Sequence, residues 1–203
     1  MASYCASSDV TDYIDFDSDV TVDTALIADL ITRASKRIDD YCGRTFVAFD
    51  SDYTTRYFDA LRDIWGPELF FDRDVSILST VTNGDGVVVT TDQYVTLPTN
   101  ETPWYGIRLK ASSGVAWTYA SDPEEAISIA GHWSYNSTSD NLTAVTDACV
   151  RMVTWMYRQR ESQADLDRPL MVEGTGNILM PTRLPDDVRA ILNPYRRAKV
   201  WAA

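Results

Sequence analysis

From Thr24 onward, Leu26, Ile27, Leu30, Ile31, Ala34, Ile38, Tyr41 and Cys42 recur at three- and four-residue steps. This spacing predicts an amphipathic helix of about five turns. Thr21 is a suitable N-cap, Asp23 suits the positive end of the helix dipole, and Gly43 is a natural C-terminal stop. Leu142, Val145, Ala148, Cys149, Met152, Val153, Met156 and Tyr157 form a second apolar face. Asp140 or Asn141 caps that helix, and the charged run Arg158–Glu161 closes it. A third helix opens at Pro185-Asp186-Asp187 and places Val188, Ile191, Leu192 and Tyr195 on one face, with Pro194 set to kink or shorten it. Helices are therefore expected near 22–43, 141–161 and 185–197.

Between the first two helices the pattern changes. Residues 44–135 hold 15 of the 23 aromatic residues, many Thr and Val, and short runs punctuated by Gly, Pro, Asn and Asp. Strands are expected near Thr54–Phe58, Glu68–Phe71, Ser76–Thr82, Val87–Thr90, Gln93–Leu97, Gly106–Lys110 and Ala126–Trp133. Asn83-Gly84-Asp85-Gly86 is the sharpest turn signal, because Asn-Gly and Asp-Gly readily take the positive φ that a hairpin needs. The expected fold is α+β: a small helical bundle (21–43 and 139–203) with a large β-rich insertion (44–138).

Two segments fall outside this pattern. Met1–Val20 carries five Asp, no basic residue and only scattered aromatics, so it reads as an acidic, extended or poorly ordered arm. Ser162–Leu184 shows no periodicity, and a loop that long inside a domain is usually functional or mobile. Its apolar residues Leu170, Met171, Val172, Ile178, Leu179 and Met180 make it a candidate mobile interface loop.

Charge divides unevenly along the chain. The formal net is −12, with 24 acidic and 9 basic residues in 1–150 but 6 acidic and 9 basic in 151–203. An acidic body repels nucleic acid and disfavours a DNA reader, although a surface past which DNA slides is compatible with it. The basic excess near the C-terminus, mostly Arg, points to a docking segment for an acidic partner. An ordinary solvated face is the competing account.

Chemistry-bearing constellations are sparse. No apolar run of about 18 residues occurs, so no membrane-spanning helix is expected, and Met1–Val20 has none of the features of a signal peptide. Residence in a reducing cytosol, or in an assembly built there, follows. Cys5, Cys42 and Cys149 show no metal spacing; Cys42 and Cys149 read as buried apolar positions, and no disulfide is expected. The single histidine, His132, reads as a strand residue, and no Gly-x-Ser-x-Gly accompanies it. Asp15-x-Asp17-x-Asp19 has the start of a calcium loop, but Val20 and Leu26 stand where that loop needs Gly and Glu. Gly174-Thr175-Gly176-Asn177 lacks the spacing and Lys of a phosphate loop. No catalytic residue, metal ligand or cofactor is therefore nominated.

The order of the pieces resembles a family. Ala25–Ile31 followed by Ala34–Phe46, with Ile38-Asp39-Asp40-Tyr41-Cys42-Gly43-Arg44, looks like the opening helix of tailed-phage head–tail connector (adaptor or head-completion) proteins. Thr55–Asp59 resembles the strand after that helix. Ile129–Tyr135 resembles the strand before the second helix, with His132 and Ser134 departing from a more Gly-rich form. Asn141–Arg160 and Leu184–Arg197 resemble the second and closing helices, so the similarity spans nearly the whole chain from Thr21. It implies a non-enzymatic subunit of a homo-oligomeric neck ring in the virion, usually of twelve copies and assembled in the host cytoplasm. Such a ring sits between the portal protein and a stopper or tail-completion protein, and genomic DNA passes through it without specific binding.

The C-terminal residues fit that role. Arg196, Arg197, Lys199, Val200 and Trp201 form a positive, aromatic segment with no acid, a candidate portal-docking site. In connectors of this type the C-terminal end meets the portal, as the resemblance implies. The alternative is that Trp201 folds back on its own subunit and the arginines solvate a helix end. Two rival functions are an aromatic-rich β-module that binds carbohydrate or peptide, and a hydrolase using paired carboxylates.

Overall fold

The computed structural model describes residues 3–14, 23–47, 53–136, 142–161, 170–171, 178–179 and 184–197. The fold is α+β: the described residues form four α-helices, two four-stranded antiparallel sheets and one two-stranded ribbon. The chain divides into two compact units: Met1–Gly43 with Asn141–Ala203, and Arg44–Asp140 between them in sequence.

The helical unit holds α1 (Ser7–Tyr13), α2 (Thr24–Cys42), α3 (Thr143–Glu161) and α4 (Asp186–Leu192). Asp23 is the N-cap of α2, its carboxylate accepting from the Leu26 N–H at 3.0 Å; Thr21 lies outside the described residues. Gly43 ends the helix in the left-handed conformation (φ 66°) and donates its N–H to the Asp39 carbonyl at 2.8 Å. A side chain there would be strained, which is why a glycine closes this helix. The predicted stripe is the buried one: Ile27, Leu30, Ile31, Ala34, Ile38 and Cys42 on α2, with Val145, Ala148, Cys149, Met152, Val153 and Tyr157 on α3. Each fully buried large apolar side chain stabilises the unit by about 1.5–3 kcal/mol.

Helix α2 packs on α3, and α3 on α4. The helices pair in this way without forming a clear bundle. The last helix is shortened in the way Pro194 leads one to expect. It stops at Leu192 and continues as one 3-10 turn, Asn193–Tyr195, because Pro194 has no N–H to extend the ladder.

The N-terminal segment is a correction. Instead of an extended arm, residues 7–13 form α1, which packs on both α2 and α3. Tyr4, Cys5, Val10 and Ile14 are buried. The Tyr4 N–H donates to the Ser35 hydroxyl at 3.1 Å and its phenol donates to Asp39. Four apolar anchors thus outweigh the acidic background. Asp15, Asp17 and Asp19 lie outside the described residues.

The β unit contains sheets ordered β1-β8-β4-β5 and β2-β3-β7-β6, every pair antiparallel. The strands are β1 (Thr54–Phe58), β2 (Ile64–Trp65), β3 (Glu68–Val75), β4 (Ile77–Thr82), β5 (Val88–Val89), β6 (Tyr94–Leu97), β7 (Trp104–Leu109) and β8 (Ile127–His132). All seven expected strands occur within a few residues of their predicted limits. The eighth, β2, is too short to leave a period.

Both sheets feed one core. Phe58, Leu69, Phe71, Val81, Ile107, Ile127, Ile129 and Trp133 belong to a single buried cluster. Phe58, Phe71 and Trp133 contact one another at ring-centroid distances of 5.6–5.8 Å, and the Trp133 indole N–H donates to the Thr54 carbonyl at 2.9 Å. At the centre of the first sheet a Cβ on Gly131 would lie 2.4 Å from the Ile77 carbonyl oxygen, so glycine lets β4 approach β8.

The predicted turn joins β4 to β5, with Val81 opposite Val89 and Thr82 opposite Val88. Its Asn83 is buried and does more than turn the chain. The Asn83 amide donates to the Ala116 carbonyl at 2.9 Å and the Thr118 hydroxyl at 3.2 Å, and its carbonyl accepts from the Thr118 N–H at 3.1 Å. One side chain therefore pins the segment after β7.

Candidate functional site

The candidate docking residues divide. Arg196 and Arg197 follow the 3-10 turn, while Lys199, Val200 and Trp201 lie outside the described residues. The Arg197 N–H donates to the Cys42 carbonyl at 2.8 Å, satisfying one of the orphan acceptors at the end of α2. The Arg196 guanidinium lies 5.2 Å from the centroid of the Tyr41 ring, and the Tyr41 hydroxyl donates to the Asn193 side chain at 2.6 Å. The C-terminal end of the helical unit is thus tied to the C-terminus of α2, where a cation meets the negative pole of the helix. Arg196 is nevertheless exposed, a positive charge held in place by an aromatic face.

The candidate interface loop is also partly visible. Leu170–Met171 (β9) and Ile178–Leu179 (β10) pair antiparallel, with Met171 opposite Ile178 and Leu170 opposite Leu179. A ladder of two residues per strand is too short to leave a period-two signature, so the segment reads as unstructured in sequence. Val172 and Met180 lie outside the described residues.

The helical unit carries a surface pocket of about 390 Å³ lined by Tyr13, Arg151, Thr154, Trp155, Arg158 and Pro185, among others. Sequence reasoning missed it, because Tyr13 belongs to the segment read as an arm. One signal was present: Trp155 is a large aromatic off the apolar stripe of α3. Arg151 bridges Asp147 at 3.0 Å and Asp187 at 3.4 Å, and its hydrogen bonds to Asp147, then the charge beside it, raise its pKa further. Arg158 is exposed.

On the β unit, several large apolar side chains are exposed. Leu61 is 66% exposed and Trp65 75%, with Tyr57 on the edge strand β1 at 61%. Large apolar groups left in water at a sheet edge mark contact surfaces rather than core.

His132 lies on β8 with its ring 4.7 Å from that of Tyr53, as a packed strand residue. Among the described residues no three His, Cys, Asp or Glu side chains come together to hold a metal ion, and no helix is long and apolar enough to cross a membrane. The three cysteines are buried thiols.

No protein-family model and no curated protein matches the chain. Solved structures do. A chain from the neck of an empty gene transfer agent (GTA) particle, computed with C6 symmetry, matches with a TM-score of 0.59 at 12% identity, covering 98% of this chain and 93% of the other. A chain from the virion of a native GTA particle matches at 0.57 and 12% identity, with 98% and 93% coverage. A chain from the neck of a native GTA particle computed with C12 symmetry matches at 0.55 and 13%, covering 97% and 90%. Over nearly its whole length, this chain therefore has the fold of a chain found in the necks of gene transfer agent particles.

Proposed function

We propose that this protein is a structural subunit of a phage-like neck, in which identical copies form a ring between the portal of the DNA-filled head and a stopper or tail-completion protein. One observation carries the reading: the fold match covers 98% of the chain and 93% of its counterpart in a neck particle. The neck structures have sixfold and twelvefold symmetry, which a heterologous contact that closes on itself produces. A ring of twelve is the stoichiometry we adopt.

The net charge of −12 supports a lumen that DNA traverses without sticking, because the phosphate backbone is repelled from an acidic wall. The anchored Arg196 and the positive segment after it support docking at the C-terminal end, where Arg pairs with carboxylates on the portal. A role in catalysis is not part of this reading.

The test is reconstitution with the portal ring encoded alongside the protein, read by native mass spectrometry and electron microscopy. The expected product is one closed ring of this chain per portal, and deletion of Arg196–Ala203 abolishes its formation while lowering the melting temperature by only a few degrees, the cost of the lost Arg197–Cys42 and Arg196–Tyr41 contacts. Failure of the full-length chain to bind portal overturns the neck reading. Full binding by the truncated chain overturns only the C-terminal docking.

A further inference from the structure

Cys5 precedes α1 and Cys149 sits in the middle of α3, 144 positions apart in sequence. In the folded chain their sulfurs are 3.0 Å apart, and the two residues are 5% and 0% exposed. Neither is bonded covalently. A disulfide has an S–S length near 2.05 Å, so the sulfurs need to close by only about 1 Å. Ser35 on α2 stands beside them, its Oγ 3.9 Å from the Cys149 sulfur. The third cysteine, Cys42, has its sulfur 4.0 Å from the Leu192 carbonyl oxygen.

We propose that Cys5 and Cys149 are a modification site: on exposure to a small-molecule disulfide they form an intrachain disulfide that locks α1 onto α3. The chemistry is two successive thiol–disulfide exchanges. The Cys149 thiolate attacks the reagent disulfide, forms a mixed disulfide and expels one reagent thiolate. The Cys5 thiolate then attacks the Cys149 sulfur and expels the second. Two protein thiols are oxidised, one reagent S–S bond is reduced to two thiols, and the two protein protons pass to the departing thiolates.

The pair is asymmetric in the sense this order requires. The hydrogen bond from Cys5, with further help from the Ser35 hydroxyl, holds the Cys149 thiol below the usual thiol range. Cys5, the donor in that bond and buried, is pushed well above it.

Access comes from α1. The helix has seven residues, far too few to be stable alone, and is held by side chains rather than by its own hydrogen bonds. Local opening of such an element costs less than global unfolding and exposes both sulfurs. Reclosure restores their contact and favours the second exchange over release of the reagent. In a reducing interior the pair stays dithiol; in an oxidising medium the bond removes the opening. This goes beyond the neck reading and does not depend on it.

The experiment uses the full chain, purified with reductant and then incubated with oxidised glutathione. Remaining thiols are alkylated in denaturant, and the intact mass and peptide map are compared with the reduced sample. The expected product is about 2 Da lighter before alkylation, retains one alkylatable thiol, and yields a peptide joining Cys5 to Cys149. Its melting temperature rises by about 5–10 °C and returns to the starting value with dithiothreitol. Cys42→Ser keeps the shift and Cys5→Ser loses it. Three alkylatable thiols, a bond to Cys42, a cross-link between chains, or a bond with no thermal shift would each overturn the proposal. The mass and peptide measurements on the unaltered chain decide the bond even where a variant fails to fold.

Discussion

Asn83→Ala is the substitution that most directly probes how the β unit is held together. The side chain makes three bonds to the segment after β7, with the Ala116 carbonyl, the Thr118 hydroxyl and the Thr118 N–H, and a fourth with the Gly84 N–H of its own turn. A net contribution of about 1 kcal/mol per bond gives about 4 kcal/mol for all four. Asp85 and Gly86 are exposed, so water reaches the turn and replaces the bond to Gly84. That leaves a loss of about 3 kcal/mol, a large part of the roughly 5–15 kcal/mol typical of a folded domain.

The expected fall in melting temperature is about 6–12 °C for a chain of this size. Urea unfolding followed by far-ultraviolet circular dichroism should show a lower midpoint with an unchanged slope. Thr118→Val removes the hydroxyl partner, so the double variant should show a coupling of about 0.5–1.5 kcal/mol with Asn83→Ala. A loss below about 0.5 kcal/mol together with zero coupling would refute the claim that Asn83 pins this segment.

Two further outcomes follow from buried polar groups in the same unit. Arg44 lies 3.4 Å from Asp74, their side chains 13% and 6% exposed, and its guanidinium sits 5.0 Å from the Tyr135 ring centroid. Arg44→Met should cost about 3 kcal/mol in urea unfolding, because it removes the cation facing a buried carboxylate, and Asp74→Asn in the same chain should recover part of that; a loss under about 1 kcal/mol would contradict the assignment. Burial raises the pKa of Tyr94 above its ordinary value of 10.0. Its folded state therefore favours the neutral phenol, with the associated stability fully present below pH 10 and lost as pH rises through the folded pKa. As pH rises above 10 the wild type should lose stability faster than Tyr94→Phe, and parallel curves would refute this.

Legibility of the fold followed the length of each pattern. Helices α2 and α3 run 19 residues each, long enough for an apolar stripe to repeat several times. The strand β8 alternates Ile127, Ile129 and Gly131 inward, and its limits were readable to within a residue. Helix α1 completes barely two turns, and the contacts of the preceding Tyr4 with Ser35 and Asp39 involve residues over 30 positions away. Strands β2, β9 and β10 have two residues each, and their pairing is visible only in three dimensions. The candidate site divided along the same line. A positive C-terminal segment could be read from composition, but the seating of Arg196 on Tyr41 and of Arg197 on Cys42 could not.

What the sequence determined by itself is local. Periodicities of 3.6 and 2 report which face of an element avoids water, glycine and proline report where the backbone must turn, and charge reports what the surface repels. These suffice for an α+β chain with a β-rich segment between two long helices. What the tertiary structure decided is every pairing between distant residues: Cys5 with Cys149, Asn83 with Thr118, Arg44 with Asp74. No local rule selects those partners, because the free energy that selects them belongs to the packed interior. There an unpaired polar group loses its water and a misplaced apolar one leaves a void.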